Sequence, residues 1–450
     1  MAESLFKSFE PVPVKAWKQK IQVDLKGADY NDTLIWKTNE GIDVKPFYAK
    51  EDRTHQVIPT SFEGYKVCQS VFIDDPFIAN QIARKALEKG AEAIQFKANK
   101  SFHIENVLQN IPTGITLYFA LDFLEIDFVS DLANKTQDYT VYFQIDPVGH
   151  LAENGNWYTN LTSDFSALMK LTDQVPNSVF VSSDLYQNAG ATIPQQLAYT
   201  LAHAYEYLHY LGTENARNIH FNVSVGGNYF FEIAKLRALR LLWNTILEDR
   251  NINEVEPHIF TQPSIRNKGI YDYNVNMLRT TSECMSAILG GSNTVANIPY
   301  DVMYHKSNEF GERISRNQLL VLNEESGFKN AKDIVDGTYY IESLTEQLAA
   351  KALVIFKQIE SAGGFISQLH SGIIQRKINE NHVVEVAAFN EGKLKLLGTN
   401  YQPNPDDRMK ANLELYPFAK KRNTKTLIEP IIRRRIAEEF EKERLDQENE

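Results

Sequence analysis

The chain has 450 residues, a formal net charge of -11, 43% apolar residues and 23% charged ones. That is the balance of a globular protein with room for one large core. The acidic excess argues against nucleic acid as a main partner. No run approaches the ~20 apolar residues of a membrane span, and the start carries no signal-peptide pattern. Two cysteines, Cys68 and Cys284, offer neither a disulfide framework nor a metal site, which fits a reducing cytoplasm.

Residues 1–60 hold prolines, short apolar clusters and little periodicity. They read as an arm laid over another surface, because Phe9, Trp17, Leu34, Ile35 and Trp36 would otherwise be left in water. A βα rhythm then begins. Asp75 to Gly90 is expected to form a helix with Ile78, Ile82 and Ala86 on one side, and Ala93 to Phe96 a short strand. Ile115 to Ala120 and Tyr139 to Ile145 read as the next strands, followed by Val179 to Ser183.

The stretch from Val179 to Trp243 carries the clearest signals. After the turn Gln187-Asn188-Ala189-Gly190, Thr192 and Gln195 form a capping box and Gly212 is placed to end the helix. Ile193, Leu197, Leu201, Ala204, Leu208 and Leu211 give that helix one apolar face. Ile219 to Val225 alternates strictly, which sets His220, Asn222 and Ser224 on one side. Asn228 opens a second helix, with Tyr229, Ile233, Leu236, Trp243 and Leu247 on one face. Strand–helix–strand–helix with a parallel return is the unit of a barrel or a doubly wound sheet.

His258 to Gln262 and Asn293 to Asn297 continue the strands, with Tyr339 to Ile341 a weaker eighth. Helices are expected over Arg313 to Ser326 and Thr345 to Ala362, the second ending at Gly363-Gly364. After Tyr401 the chain turns polar and turn-rich. Ile432, Ile436 and Phe440 then sit four apart in a charged helix running to Glu450, which would clamp the barrel or a partner. The expected fold is α/β, a (β/α)8 TIM-type barrel over residues 61–400, with the arm at 1–60 and a short helical extension at 401–450.

Several words in this chain resemble the methylmalonyl-CoA mutase family. They are NEGIDVKPFY (Asn39 to Tyr48), NAGATIPQQLAYTLAHAYEYL from Asn188, GGNYFFEIAKLRALRLLW from Gly226, and MLRTTSECMSAILGGSNTV (Met277 to Val295). RISRNQLLVLNEESG (Arg313 to Gly327) and GTYYIESLT (Gly337 to Thr345) follow in order. The resemblance covers roughly residues 1–400. It implies a barrel from a lineage of adenosylcobalamin-dependent carbon-skeleton mutases, in which the cofactor carries the radical chemistry.

The resemblance also implies that the chemical residues have been replaced. Where the family has an arginine and a tyrosine at the boundary between cofactor and substrate, this chain has Cys68 and Ser70 around a retained Gln69. Where the family has a tyrosine–histidine pair, the frame Ser182 to Gly190 holds Asp184 and Leu185, and leucine has no proton to donate. Gln144 and Asp146 keep a third word, but Asn154 stands where a carboxylate-clamping arginine belongs. Gln262 is retained, while Arg266 takes a tryptophan's place. No D-x-H-x-x-G word supplies the cobalt-binding histidine, and only about 50 residues follow the barrel.

Other constellations are expected to be structural. His203 and His209 lie six apart and do not share a helix face as metal ligands would. The Gly226-Gly227 and Gly290-Gly291 pairs lack a phosphate-cradling context and read as turns. Adjacent Glu324 and Glu325 point about 100° apart on a helix. His220, Asn222 and Ser224 either touch a ligand or form a satisfied polar layer.

No catalytic, cofactor-binding or metal-binding residue is therefore assigned. The resemblance implies a non-catalytic small (beta) subunit of a heterodimeric methylmalonyl-CoA mutase, with adenosylcobalamin in the large (alpha) partner, no nucleic acid and no membrane. The alternatives are a stand-alone acyl-CoA mutase chain served by a separate cobalamin subunit, or a regulatory barrel that is not an enzyme.

Overall fold

Eight short parallel strands form a ring: β1 (Lys66–Phe72), β2 (Ala93–Ala98), β3 (Thr116–Leu121), β4 (Thr140–Gln144), β5 (Val179–Ser182), β6 (Ile219–Val225), β7 (His258–Pro263) and β8 (Thr294–Ala296). The computed structural model describes residues 8–10, 12–53, 58, 64–252, 255–330, 333–419 and 424–448. Ladder pairing runs from β4 through β3, β2, β1, β8, β7 and β6 to β5. The remaining gap is crossed by the Phe143 amide on the Asn177 carbonyl at 2.9 Å and the Phe180 amide on the Ile145 carbonyl at 3.3 Å. With helices around it, this is the TIM-type barrel that the βα rhythm implies.

Two-residue alternation along each strand sorts the side chains. Phe96, Phe119 and Phe143 point outward and stack at 5.6 and 5.8 Å between ring centroids, under the helices of the first half. Inward lie Cys68, Tyr118, Phe260 and Ala296. Tyr118 Oη bonds Thr294 Oγ1 at 2.7 Å and His258 Nε2 at 2.8 Å, and Tyr142 stacks on His258 at 3.9 Å. The lower lumen is thus a filled core rather than a pore.

The central helix forms where its caps place it, over Ile193–Leu211. The Thr192 amide donates to Gln195 Oε1 at 2.9 Å, and Gly212 ends it at φ +88°. The predicted apolar face is buried, and so are most of the other faces, because the helices Tyr229–Asp249 and Tyr339–Ser361 pack against it. Gly226 is needed for close approach, since a Cβ there would lie 2.8 Å from Gln187 Nε2. A Cβ on Gly290 would meet Leu236 at 2.6 Å, and Gly291 sits at φ +87°. Both pairs are turns.

Four expectations need correction. Tyr339 to Ile341 is not the eighth strand but the first turn of the helix Tyr339–Ser361, with Ile341 buried. The eighth strand is β1, whose residues Tyr65 to Val71 the sequence reading treated only as a motif. In the helix Pro76–Glu88 the buried residues are Ala79, Asn80, Ala83 and Ala86, whereas Ile78 and Ile82 are exposed. Alanines let the helix sit close to the barrel, and Asn80 Nδ2 is satisfied by the Val107 and Gln109 carbonyls at 2.8 Å each. Finally, the C-terminal helix is only Glu438–Gln447, and Ile432 and Ile436 precede it in an irregular strap.

That strap crosses the C-terminal end of the barrel by main-chain bonds. The Leu427 amide donates to Gly155 O at 2.9 Å, Ile431 to Ala152 O at 2.7 Å, Arg434 to Asn188 O at 2.8 Å and Ile436 to Arg266 O at 2.8 Å. Beyond it, Arg435 and Glu441 form a fully buried ion pair, and Glu441 also accepts from the Ile270 amide at 2.9 Å.

The arm has two characters. Residues from Tyr30 onward belong to the barrel: Ile42 is buried in the main core, Trp36 meets Phe231 edge-on at 5.9 Å, and Glu40 accepts from the Ile193 amide at 2.6 Å. The helix Val14–Asp24 has no buried residue at all. Among the described residues no helix is long and apolar enough to cross a membrane.

Candidate functional site

In a parallel barrel the strand ends and following loops at the C-terminal face carry function, because their side chains converge there while the strands stay rigid. At that mouth lies a cavity of about 500 Å³. Phe72, Lys97, Gln144, Asp146 and Ser182 line it from the ends of strands or the loop after one, and Tyr158 from the link between the helices Pro147–Asn154 and Leu161–Thr172.

Asp146 is the best-held group in the mouth. Its carboxylate accepts from the Gly149 amide at 2.7 Å, the Ser182 amide at 2.8 Å, His203 Nε2 at 2.9 Å and the Tyr207 hydroxyl. Burial opposes its charge, but the His203 imidazole and the Tyr207 and Gly149 bonds outweigh it and hold the carboxyl below its usual range. His203 in turn bonds the Tyr186 hydroxyl through Nδ1 at 2.8 Å. Asp146 therefore ties β4, β5 and the central helix together. His203 is a satisfied core residue and His209 is exposed, so the two do not form a pair.

The residues that the resemblance sets against the family's chemical groups are also accounted for. Leu185 is wholly buried in the main core and does not face the cavity's solvent. Asp184 accepts from Asn222 Nδ2 at 2.9 Å and is paired with Arg433, which comes from the strap. The same guanidinium holds Glu153 in a bidentate grip at 2.8 and 3.1 Å. Cys68 lies in the lumen, where burial pushes its thiol far up. Ser70 Oγ donates to Gln95 Oε1 at 2.6 Å, and Gln95 Nε2 donates to Gln144 Oε1 at 2.6 Å.

The retained Gln69 and the replaced position Arg266 both point elsewhere. Gln69 has outward parity on β1 and bonds Glu312 and Arg316 of the helix Glu309–Leu320. Arg266 leaves the mouth as well: it pairs with Glu385, donates to the Arg434 carbonyl at 3.1 Å and meets His382 at 3.1 Å. Burial, with Arg266 and Arg434 beside it, brings His382 down to about 4. Asn154 stays at the cavity and bonds His150 Nδ1 at 3.1 Å. Among the inward residues of β6, burial brings His220 down to about 4, so it is neutral. Glu324, exposed on the π-helical segment Val321–Glu325 that continues the helix Glu309–Leu320, reaches Lys329 at 3.5 Å.

Sequence reasoning missed Arg433 and Lys97. Arg433 is hidden in the run Ile431-Ile432-Arg433-Arg434-Arg435-Ile436, which reads as helix by its isoleucine spacing. Lys97 was legible by parity, since it follows Ala93 and Gln95 on the inward face of β2. Among the described residues no group of three His, Cys, Asp or Glu side chains could hold a metal ion.

These features define a class of protein: a TIM-type α/β barrel whose mouth is bound over by its own C-terminal strap. A family model described as methylmalonyl-CoA mutase matches residues 132–447. The chain is 32% identical to a methylmalonyl-CoA mutase small subunit of Porphyromonas gingivalis, over 98% of this chain and 78% of that protein. It is 27% identical to the small subunit of Streptomyces virginiae, over 79% of this chain and 63% of the relative. The large subunit from the same organism is 32% identical over 52% of this chain, and the match spans only 33% of that protein. The chain belongs to the methylmalonyl-CoA mutase family.

Proposed function

We propose that this chain is the non-catalytic small subunit of a heterodimeric, adenosylcobalamin-dependent methylmalonyl-CoA mutase, in which a large subunit interconverts succinyl-CoA and methylmalonyl-CoA. The observation that carries the reading is the Asp184–Arg433 pair. The place where a proton-donating pair would act is taken by a salt bridge to the strap, and its neighbour Leu185 is sealed in the core. A group that must polarise a carbonyl needs a free donor aimed at the substrate, and neither residue supplies one.

The residues at the mouth do not fit a corrin. The strap Leu427 to Ile436 lies across the end of the barrel, and the His150 imidazole there is stacked on Tyr158 at 3.8 Å beside Asp122 at 3.3 Å. No step is therefore assigned to the cofactor in this chain. Its chemistry belongs to the partner in this reading. A partner is supported by the segment that holds the helix Val14–Asp24: Val12 just before it and Trp17 and Val23 within it are 71%, 51% and 71% exposed, and no residue of the helix is fully buried. Aromatic and branched side chains in that state are the material of a permanent interface.

The test is co-expression with a large mutase subunit, followed by isolation through a tag on this chain. A one-to-one complex in which only the large chain holds the cofactor is the expected result. A monomer beside an abundant large subunit would sink the reading.

A further inference from the structure

We propose that a second cavity, under the arm, binds a small organic ammonium through the carboxylate oxygens that Glu40, Glu232 and Glu385 leave open. This goes beyond the subunit reading, because it assigns a ligand to a chain read as non-catalytic. No bond is made or broken in it, and it stands whether or not a large partner is found.

The cavity measures about 590 Å³, within the range of small-molecule sites. It lies between the arm, the helix Tyr229–Asp249 and the helix Ile373–Asn390, and it shares no lining residue with the cavity at the mouth.

The first observation is an excess of acceptors. Each of those three elements brings one carboxylate to the lining, and each carboxylate has one oxygen with no hydrogen bond among the described residues. Glu40 uses Oε2 on the Ile193 amide, and Glu385 uses Oε2 on two nitrogens of Arg266. Glu232, 2% exposed, gives Oε1 to Gln187 Nε2 at 3.0 Å. Its Oε2 touches the Lys235 ammonium, yet takes no hydrogen bond from it. The three protons of Lys235 go to Gln187 Oε1, Gln196 Oε1 and the Ser224 carbonyl, at 2.9, 3.1 and 2.7 Å. A buried acceptor left unpaired has lost its hydration with no return. An alkylammonium brings three donors and no acceptor.

The second observation is the field that these groups share. Burial raises Glu40 to about 8 against the Ile193 amide; the Glu385 and Glu232 charges add to the rise, and Lys235 opposes it. The other cations of the lining are engaged, Arg266 with Glu385 and Lys395 over the Tyr401 ring at 4.7 Å. A cation seated among the three carboxylates would relieve that field.

The walls choose an organic cation. Among the described residues these carboxylates do not form a group that could hold a metal ion. Trp36, 52% exposed, presents a ring at the rim, and a ring face attracts a cation. Val384, Ala388, Leu394 and Leu396 offer an apolar wall for a short hydrocarbon body.

The probe is n-butylammonium, titrated into the full chain by calorimetry beside 1-butanol and magnesium ion. Above about pH 8, saturable binding with a dissociation constant on the order of 1 mM is expected, with both comparison species at least about tenfold weaker. Below about 8 the cation must displace the Glu40 proton, so affinity should fall by up to about tenfold per pH unit. The alkylammonium itself stays charged over that range. Glu40→Gln should weaken binding about tenfold or more and flatten the pH profile. The profile of the native chain needs no variant, so it decides the matter even if Glu40→Gln fails to fold. Absence of saturable binding, equal binding of 1-butanol, an affinity indifferent to pH, or unchanged affinity in a folded Glu40→Gln chain would each overturn the proposal. Preference for magnesium would overturn the organic assignment.

Discussion

Arg433 makes the strap specific rather than merely adhesive. Its guanidinium matches Glu153 in bidentate geometry while reaching Asp184, which is 4% exposed. Taking away one partner of a buried pair leaves the other charge in a medium that cannot solvate it. Arg433→Met is expected to cost about 3 kcal/mol by urea denaturation, and Asp184→Asn in the same chain should recover much of that loss. If the single change were neutral, the pair would be decoration. Leu185→His, which restores a donor type at the replaced position, should instead lose about 2 kcal/mol, since the imidazole would enter an apolar core. It should yield no mutase turnover in the isolated chain; measurable turnover would move this protein toward the enzymes. At this scale the sequence was a partial guide. Leu185 and Cys68 differ in type from what the family resemblance implies at their positions, but the direction in which Gln69 points depends on strand parity, which needs the register of β1.

Elements were legible where local chemistry agrees with packing. The helix Ile193–Leu211 carries a capping box, a proline in its first turn and a terminal glycine, and all three survive in the fold. The helix Pro76–Glu88 misled because its larger apolar side chains face outward and its alanines face in. The strap misled because isoleucines four apart occur equally in a chain that makes its contacts through its backbone. The arm divides at about Tyr30, and its two parts should respond differently. Removing residues 1–28 should leave the melting temperature nearly unchanged and abolish co-purification with the large subunit; retained co-purification would place the interface elsewhere. Glu40, in the other part, caps the central helix from a poorly hydrated position. Burial, aided by Glu385 and Glu232 and opposed by the Ile193 amide, raises it from 4.5 to about 8. A folded value above the unfolded one means the folded state binds the proton more tightly. This contribution is complete below about 4.5 and is lost as pH rises through about 8. The melting temperature should therefore fall more steeply over that window in the native chain than in Glu40→Gln. Parallel profiles would show that Glu40 is ionised throughout.

For the whole molecule, the barrel was legible because its rhythm repeats. One strand was misplaced, at Tyr339 instead of Lys66, since a short apolar run cannot be assigned by period alone. The strap across the mouth was not legible, because it joins residues 433 and 184, which are 249 positions apart. The proposed division of labour predicts that adenosylcobalamin titrated into the isolated chain leaves the corrin spectrum unchanged. A stoichiometric shift typical of histidine ligation would require a binding face that the strap now covers.

Synthesis runs from the N-terminus, and domains begin to fold as they emerge. Every strand of the ring precedes Leu427, so the barrel can assemble on the ribosome before its strap exists. During that interval Asp184 has no arginine, and the mouth is open to whatever the surrounding solution contains. The last stretch to be made is then the one that gives Asp184 its partner and joins the loops at Ala152, Asn188 and Arg266 across the end of the barrel.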